Sequence, residues 1–154
     1  MKALTLWRPW SDAIVTGPKR VENRPWAPPA AMLGKLIAIH AGKRFDSDGE
    51  AAIKVVWPDV PTEALSPGGI VGIARIVGYL DLRKEKRVTR VAEAAISRAA
   101  ARVSALDQDP FWMGPVGWLL EDVVALSKPV PHPGALGLWR VPPGKEALVL
   151  ERLR

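Results

Sequence analysis

The densest group of side chains capable of chemistry lies in residues 17–24, Gly-Pro-Lys-Arg-Val-Glu-Asn-Arg. In an extended segment the side chains alternate, so Arg20, Glu22 and Arg24 are predicted to share one face. Lys19 lies at the preceding bend. Glu22 between two arginines is expected to be ionised, because opposite charges favour the charged form. Such a cluster could bind a phosphate or a carboxylate, or place a lysine beside a carboxylate for proton transfer. The alternative is an ion-pair ladder on a strand surface, which contributes little.

The excess positive charge of the chain surrounds this cluster. Among 154 residues, 22 are Lys or Arg and 16 are Asp or Glu, which gives a net charge of +6. Residues 1–44 carry eight basic and two acidic side chains, so they hold the whole excess. Three of the seven tryptophans, Trp7, Trp10 and Trp26, lie in the same stretch. A flat ring beside cations suits a nucleobase and its phosphate, with stacking worth about 1–3 kcal/mol per base. The alternative is that these rings belong to the core.

Candidate binding residues are therefore cationic or aromatic side chains near the cluster. His40 ends an apolar run, where it is either a hydrogen-bonded structural histidine or a phosphate contact beside Lys43. Trp112, in the loop 109–114, is a candidate for the rim of a cleft. The full candidate set for binding a nucleic acid or nucleotide is Arg8, Trp10, Arg20, Arg24, Trp26, His40, Lys43 and Trp112.

Several classes of site and location are disfavoured by composition. The chain has no cysteine and two histidines, which excludes cysteine zinc sites and thiol catalysis and makes a histidine metal site improbable. It contains no glycine-rich phosphate loop and no nucleophile elbow, so neither a metal nor another cofactor is expected. No run reaches the 18 or more apolar residues of a membrane span, and the N-terminus lacks a signal-peptide core. We therefore expect no membrane association and a cytoplasmic location.

The elements that must position these residues are mostly strands. Periodicity predicts strands over 2–6, 35–41, 69–82, 117–126 and 137–141, an extended segment at 20–24, and short helices over 10–16 and 49–56. Ser47 or Asp48 is the expected cap of the second helix. Residues 57–67 are predicted as a connection, 129–134 as a turn, and 142–154 as a tail with a short edge strand. Because regular strand–helix alternation is missing, we predict an α+β fold, a small, partly open β-barrel with short helices packed around it.

A second basic segment has a different character. Apolar residues recur at three- and four-residue spacing between Val88 and Val103, which predicts one amphipathic helix over 85–104. Residues 83–102 carry seven basic and two acidic side chains. The basic face of this helix could dock an acidic protein partner.

The segment 17–24 resembles the signature of the ASCH-domain family, a branch of the PUA-like barrels. Gly17, Lys19, Glu22 and Arg24 fill the four fixed places of Gly-x-Lys-x-x-Glu-x-Arg. Segments 4–10, 36–41, 117–122 and 134–139 resemble the opening, following and closing strands of the family. The resemblance extends from Lys2 to Val141 and implies that residues 1–154 form a single ASCH domain with a PUA-like β-barrel. The basic helix matches no segment of the family, so it is predicted as an insertion at about 84–105.

The resemblance also implies a function. ASCH domains are proposed to bind RNA in a cleft lined by the signature, which here predicts binding of single-stranded RNA or of a modified nucleotide. Some members are enzymes: one group hydrolyses the amide of acetylated cytidine, and another member is a ribonuclease. By carry-over, the catalytic residues of such a hydrolase would be Lys19, Glu22 and a third acid, Glu121 or Asp122. Glu22 replaces the threonine that the amidohydrolases have at its position.

Overall fold

The computed structural model describes residues 1–60 and 67–153. Within these residues, seven strands form one mixed sheet: β1 (Lys2–Arg8), β2 (Val21–Arg24), β3 (Leu36–Phe45), β4 (Gly69–Asp81), β5 (Val88–Val91), β6 (Val116–Pro131) and β7 (Leu138–Arg140). The α-helices are α1 (Trp10–Val15), α2 (Ser47–Val56), α3 (Ile96–Ser104) and α4 (Pro143–Glu151). Single turns of 3₁₀-helix lie at Ala30–Met32, Arg83–Glu85, Glu93–Ala95 and Leu106–Gln108.

The strands follow the order β2-β6-β4-β3-β1-β7, and β5 pairs with β4. β1 and β3 are parallel, whereas β1–β7, β2–β6 and β4–β5 are antiparallel. A parallel pair needs a crossover connection, and here α1 and β2 lie in the connection between β1 and β3. This mixed sheet with short helices confirms the predicted α+β class. Closure of the sheet into a barrel stays a prediction.

The chain divides into two compact units. Unit one comprises the described residues of Met1–Pro18, Ile37–Ala74 and Val123–Arg154, and unit two comprises Lys19–Leu36 and Arg75–Asp122. The long strands β4 and β6 contribute residues to both. Unit one holds β1, β7, α1, α2, α4 and nearly all of β3, whereas unit two holds β2, β5 and α3.

The core of unit one is built on the parallel pair β1–β3. Leu4 and Ile39 lie opposite each other and are completely buried, as is Ile14 of α1. Helix α2 begins after Asp46, whose side chain accepts a hydrogen bond from the Gly49 amide at 2.9 Å. The predicted cap at Ser47 or Asp48 was therefore wrong by one or two residues. Hydrogen bonds from the Gly49 amide and from the Trp10 indole hold the pKa of Asp46 below its usual value.

The core of unit two is built on the antiparallel pair β2–β6. Val21 lies opposite Leu119 and Glu22 opposite Trp118. Trp118 is completely buried, and its indole N–H donates to the Trp26 carbonyl at 3.1 Å. The two indole rings meet edge to face, with centroids 4.8 Å apart. This geometry is a favourable one for aromatic pairs.

The predicted helix over 85–104 was wrong for its first half. Residues Val88–Val91 form β5, which pairs with β4, and only Ile96–Ser104 form α3. β-branched residues at three of the four β5 positions favour a strand, and the C-terminal end of β4, Gly78–Asp81, supplies the backbone partners. The buried side of α3 carries Ala99 and Val103, as the periodicity predicts.

Two further predictions near the C-terminus were wrong. β6 continues through Pro131, where the sequence predicts a turn, because prolines can occupy an edge or end of a strand. The tail forms helix α4 rather than an edge strand, with Pro143 in the first turn, where a missing amide proton costs nothing. The predicted connection 57–67 lies outside the described residues at 61–66.

Gly17 of the signature is required by a close contact in unit one. A Cβ atom at this position would lie 2.3 Å from the Trp57 ring, well inside van der Waals contact. The glycine therefore makes room for the indole. In contrast, a Cβ atom at Gly144 of α4 would meet no atom of the described residues within 4 Å.

We predict that Gly17→Ala lowers the free energy of unfolding by about 1–3 kcal/mol, because it overpacks the site of the Trp57 ring. The measurement is urea unfolding followed by circular dichroism. Gly144→Ala is the matched control, and it should be neutral or slightly stabilising because alanine is favoured over glycine in a helix. In a Trp57→Leu background the cost of Gly17→Ala should largely disappear. Equal costs in both backgrounds would contradict the steric account.

Candidate functional site

The charged signature residues of unit two form a buried ion-pair triad. Lys19 Nζ lies 2.8 Å from Glu22 Oε2 and also donates to the Val21 carbonyl. Arg24 Nε lies 3.1 Å from Glu22 Oε1. Lys19 is 1% exposed and Glu22 is 5% exposed. Glu22 therefore lies between two cations, as the alternation indicates, but the partner on the N-terminal side is Lys19.

The burial of Lys19 and Glu22 limits the reactions in which their side chains can take part. A charge that leaves water without a partner is costly, so Lys19 and Glu22 depend on each other for their stability in the interior. A proton-transfer group must also reach the substrate, and the side chains of Lys19 and Glu22 are both enclosed. The geometry therefore favours a structural role for the pair. The hydrolytic use of Lys19 and Glu22 stays a prediction.

The remaining charged candidates of unit two also have hydrogen-bond or ion-pair partners. Arg20 donates from Nη1 to the Lys19 carbonyl at 2.8 Å, and burial together with the nearby charge of Arg102 lowers the pKa of Arg20. Glu121 forms ion pairs with Arg98 and Arg102 of α3, with 3.3 Å from Arg98 Nε to Oε2. The alternative third acid, Asp122, lies 2.7 Å from Arg75 Nε. The structure thus gives both acids arginine partners.

The aromatic candidates of unit two pack against the protein. The Trp26 ring contacts Trp118, as described above. The Trp112 ring covers Gly117, where a Cβ atom would lie 2.3 Å from it. Asn23 fastens this loop, because its amide donates to the Phe111 carbonyl at 2.9 Å and accepts from the Met113 amide at 2.8 Å. Trp112 and Trp26 are both only partly exposed.

Unit one contains a pocket of about 620 Å³. Its walls come from the ends of β1, β3 and β6 and from the segment that follows β6. The lining residues are Thr5, Trp7, His40, Gly42, Lys43, Arg44, Gly68, Pro131, His132, Pro133 and Gly134. The described lining residues include no acid, and two of them are lysine and arginine. The pocket therefore combines an apolar wall with positive charge.

Trp7 and Arg44 lie together at an exposed part of this pocket. Trp7 is 45% exposed, although it is a large aromatic side chain. The guanidinium carbon of Arg44 lies 3.6 Å from the centroid of the Trp7 ring, which is a close cation–π contact. Lys43 precedes Arg44 on β3, and both side chains are exposed. The pair Trp7–Arg44 presents a flat, cationic surface to solvent.

His40 belongs to the wall of the pocket and is 1% exposed. Its Nε2 lies 2.8 Å from the His132 carbonyl, and since a carbonyl only accepts, Nε2 carries the proton. The His132 ring stacks on Trp139 at 5.0 Å, and the Trp139 indole N–H donates to Thr5 Oγ1 at 3.0 Å. Burial lowers the pKa of His40, although the bond to the His132 carbonyl opposes this shift. His40 is thus a neutral, hydrogen-bonded residue that shapes the wall.

Arg8 and Trp10 have partners elsewhere in unit one. Arg8 Nε lies 3.8 Å from Asp12, and its guanidinium lies 5.8 Å from the Phe45 ring centroid. The Trp10 indole donates to Asp46 at 2.9 Å and packs over Gly49. Neither residue lines the pocket, whereas the predicted residues Lys43 and His40 do.

Comparison with known families identifies the chain. A model of the ASCH domain matches residues 4–111, which is 108 of the 154 residues. The chain belongs to the ASCH-domain family. This family is generally linked to RNA binding. No curated protein matches the chain.

Solved structures agree with this ASCH assignment at the level of the fold. An ASCH protein from Zymomonas mobilis is 18% identical, covers 97% of this chain and 93% of its own, and superposes with a TM-score of 0.51. A point mutant of the Zymomonas mobilis protein gives 17% identity, 97% and 96% coverage, and a TM-score of 0.51. At 17–18% sequence identity, this structural similarity shows a shared fold and nothing about function.

The sequence-based candidate set for this ASCH domain omits several pocket residues. Trp7 and Arg44 are missing from it, as are Thr5 and His132. Trp7 lies near the end of β1 and Arg44 near the end of β3, and the parallel pairing of these strands places their ends side by side. An exposed tryptophan at the end of one parallel strand and a cation at the end of its neighbour is the signal that could have found the pair.

Two further features concern metal ligands and membrane-spanning helices. Within the part of the chain that the structure describes, no group of three or more His, Asp or Glu side chains could hold a metal ion. None of the described helices is both long and apolar enough to cross a membrane.

We predict that Lys19→Met lowers the free energy of unfolding by about 3–5 kcal/mol, because it leaves Glu22 buried with one cation fewer. Urea unfolding measures the effect. Lys54→Met is the matched control, since Lys54 pairs with Glu50 on the surface of α2 and should contribute less than about 1 kcal/mol. The double variant Lys19→Met/Glu22→Gln should cost less than the sum of the two single variants. Additive costs would contradict the pairing.

We also predict that stability falls as the pH drops below about 6.5, partly through His40. The folded pKa of His40 is lowered, so the unfolded chain binds more protons in this range, and the contribution of His40 is lost as the pH falls through its folded pKa. The measurement is the free energy of unfolding between pH 7.5 and pH 5.5. His40→Gln should show a shallower slope than the unmodified protein, and identical slopes would refute the assignment.

Proposed function

We propose that this ASCH domain binds single-stranded RNA, with one unpaired base held in the pocket of unit one and the adjacent phosphates bound by Lys43 and Arg44. The observation that carries this proposal is the half-exposed Trp7 ring with the Arg44 guanidinium stacked on it in a pocket without described acids. The family link to RNA supports the ligand class.

The pocket suits a flat ring. Its volume of about 620 Å³ is within the range of about 300–1,000 Å³ that small-molecule pockets occupy. Trp7, Pro131 and Pro133 supply apolar surface to its wall. Bases stack on aromatic rings and on guanidinium planes, and the Trp7–Arg44 pair supplies both.

The charges beside the pocket suit the backbone of the same ligand. Lys43 and Arg44 are consecutive, exposed cations at the end of β3. Arginine matches phosphate geometry through two parallel N–H groups, and lysine acts as a mobile point charge. A base in a duplex is already stacked and paired, so a pocket of this kind favours unpaired nucleotides.

The same chemistry also accepts a modified nucleotide. The base of the nucleotide would pack against the same apolar wall, and its single phosphate would take the place of the RNA backbone phosphates. A free nucleotide makes fewer ionic contacts than RNA, so its affinity should depend less steeply on salt. This difference separates the two ligands in a titration.

We predict that Trp7→Ala weakens the binding of a fluorescein-labelled single-stranded RNA by about 5–150-fold, which corresponds to the loss of one stacked base. Lys43→Gln and Arg44→Gln should each weaken binding and reduce the salt slope by about 0.7. Fluorescence anisotropy at several salt concentrations measures both quantities, with duplex RNA and a mononucleotide as comparison ligands.

The control for Trp7→Ala is Trp57→Leu, which removes a partly buried tryptophan of unit one that does not line the pocket. It should leave RNA affinity unchanged once circular dichroism shows that the variant is folded. Absence of RNA binding at low salt, or equal affinity of the unmodified protein and Trp7→Ala, would overturn the proposal. Incubation of the RNA and of acetylated cytidine with the protein reports any turnover in the same samples.

A further inference from the structure

Two arginines of unit two form ion pairs with one carboxylate, and a third arginine lies nearby. Arg98 and Arg102 lie one turn apart on α3, and both side chains form ion pairs with Glu121 of β6. Arg20 lies at the adjoining strand end, because its carbonyl accepts from the amide of Leu120, the residue before Glu121. We call Arg20, Arg98, Arg102 and Glu121 the arginine cluster.

The arginine cluster carries more positive charge than its carboxylate neutralises. The guanidinium groups of Arg98 and Arg102 share one carboxylate, which leaves a net charge of +1 on these three side chains. The neighbouring carboxylates have other partners: Asp122 pairs with Arg75, and Asp107 pairs with Arg87. The repulsion between Arg102 and Arg20 also contributes to the lowered pKa of Arg20, which supports their proximity. An added anion would reduce this repulsion.

The arginine cluster also remains accessible. The side chains of Arg98 and Arg102 are 53% and 51% exposed, although both form ion pairs. Each guanidinium group has five N–H donors. Arg98 uses one toward the Ala94 carbonyl and one toward Glu121, so donors remain for a ligand. The buried side of α3, with Ala99 and Val103, fixes the helix and therefore the spacing of the two arginines.

We infer that the arginine cluster is a second RNA-contacting surface, which binds backbone phosphodiesters without reading the base, and that Glu121 keeps its arginines in place while weakening that binding. This inference rests on the proposed function, because it takes RNA as the ligand. Phosphodiester groups fit the cluster because arginines bind phosphate through paired N–H groups. The described residues of the cluster include no aromatic ring for a base, so the contact is expected to be independent of sequence.

The test uses two probes, a fluorescein-labelled single-stranded RNA and an abasic oligodeoxynucleotide, which has phosphates but no bases. The double variant Arg98→Gln/Arg102→Gln should weaken the binding of both probes by about 5–20-fold at low salt. It should also lower the salt dependence of binding, the slope of log affinity against log salt, by about 1.4, or about 0.7 per phosphate contact. Glu121→Gln should strengthen the binding of both probes several-fold. The double variant Lys54→Gln/Lys128→Gln, which removes the same charge elsewhere, should change either affinity by less than about twofold.

The outcomes separate this inference from the pocket proposal. Trp7→Ala should weaken the binding of RNA but leave the affinity for the abasic probe unchanged. If the arginine variant binds the abasic probe as tightly as the unmodified protein, the inference is wrong, whatever Trp7→Ala does. If binding of the abasic probe depends on the arginines but binding of RNA does not depend on Trp7, the inference stands and the pocket proposal fails. If an acidic peptide of equal charge displaces the abasic probe more effectively than unlabelled abasic probe does, the cluster binds a protein segment, and the inference is overturned.

Discussion

The pairing of Lys19 with Glu22 in the interior of unit two constrains the structure around it. Neither charge can lie away from water without its partner, so the bend before β2 and the strand itself must form together. The register of β2 against β6 places Glu22 opposite Trp118. A slip of one residue would move Glu22 to the other face of the strand and separate it from Lys19. The ion pair and the strand register therefore reinforce each other.

Because side chains alternate along a strand, the two faces of β2 make different contacts. Glu22 and Arg24 point to the ion-pair side, whereas Asn23 binds the backbone at Phe111 and Met113. One short strand thus holds a buried charge on one side and a loop with Trp112 on the other. The three consecutive polar or charged residues 22–24 therefore all make contacts within the protein.

Charge counted along the chain differs from charge available in space. Residues 83–102 look strongly basic, yet Arg83 pairs with Asp81, Arg87 with Asp107, and both arginines of α3 with Glu121. All three of these acids lie outside that stretch, so a local count misses them. In unit one, Lys43 and Arg44 lie in a pocket whose described lining contains no acid. The cations that look most prominent in sequence are therefore partly neutralised, and a less prominent pair carries the proposed ligand contacts.

The sequence by itself determined the family, the α+β class, most strands and the identity of the charged cluster, because these depend on local periodicity and on a motif of fixed spacing. It also indicated the pairing of Glu22 with a cation on each side. Only the tertiary structure decided that Val88–Val91 is a strand, since pairing with the C-terminal end of β4 outweighs a helical spacing of apolar residues. The tertiary structure also buried Lys19 beside Glu22, and the parallel pairing of β1 with β3 brought Trp7 to Arg44. Such contacts join residues far apart in the chain, so no local pattern contains them.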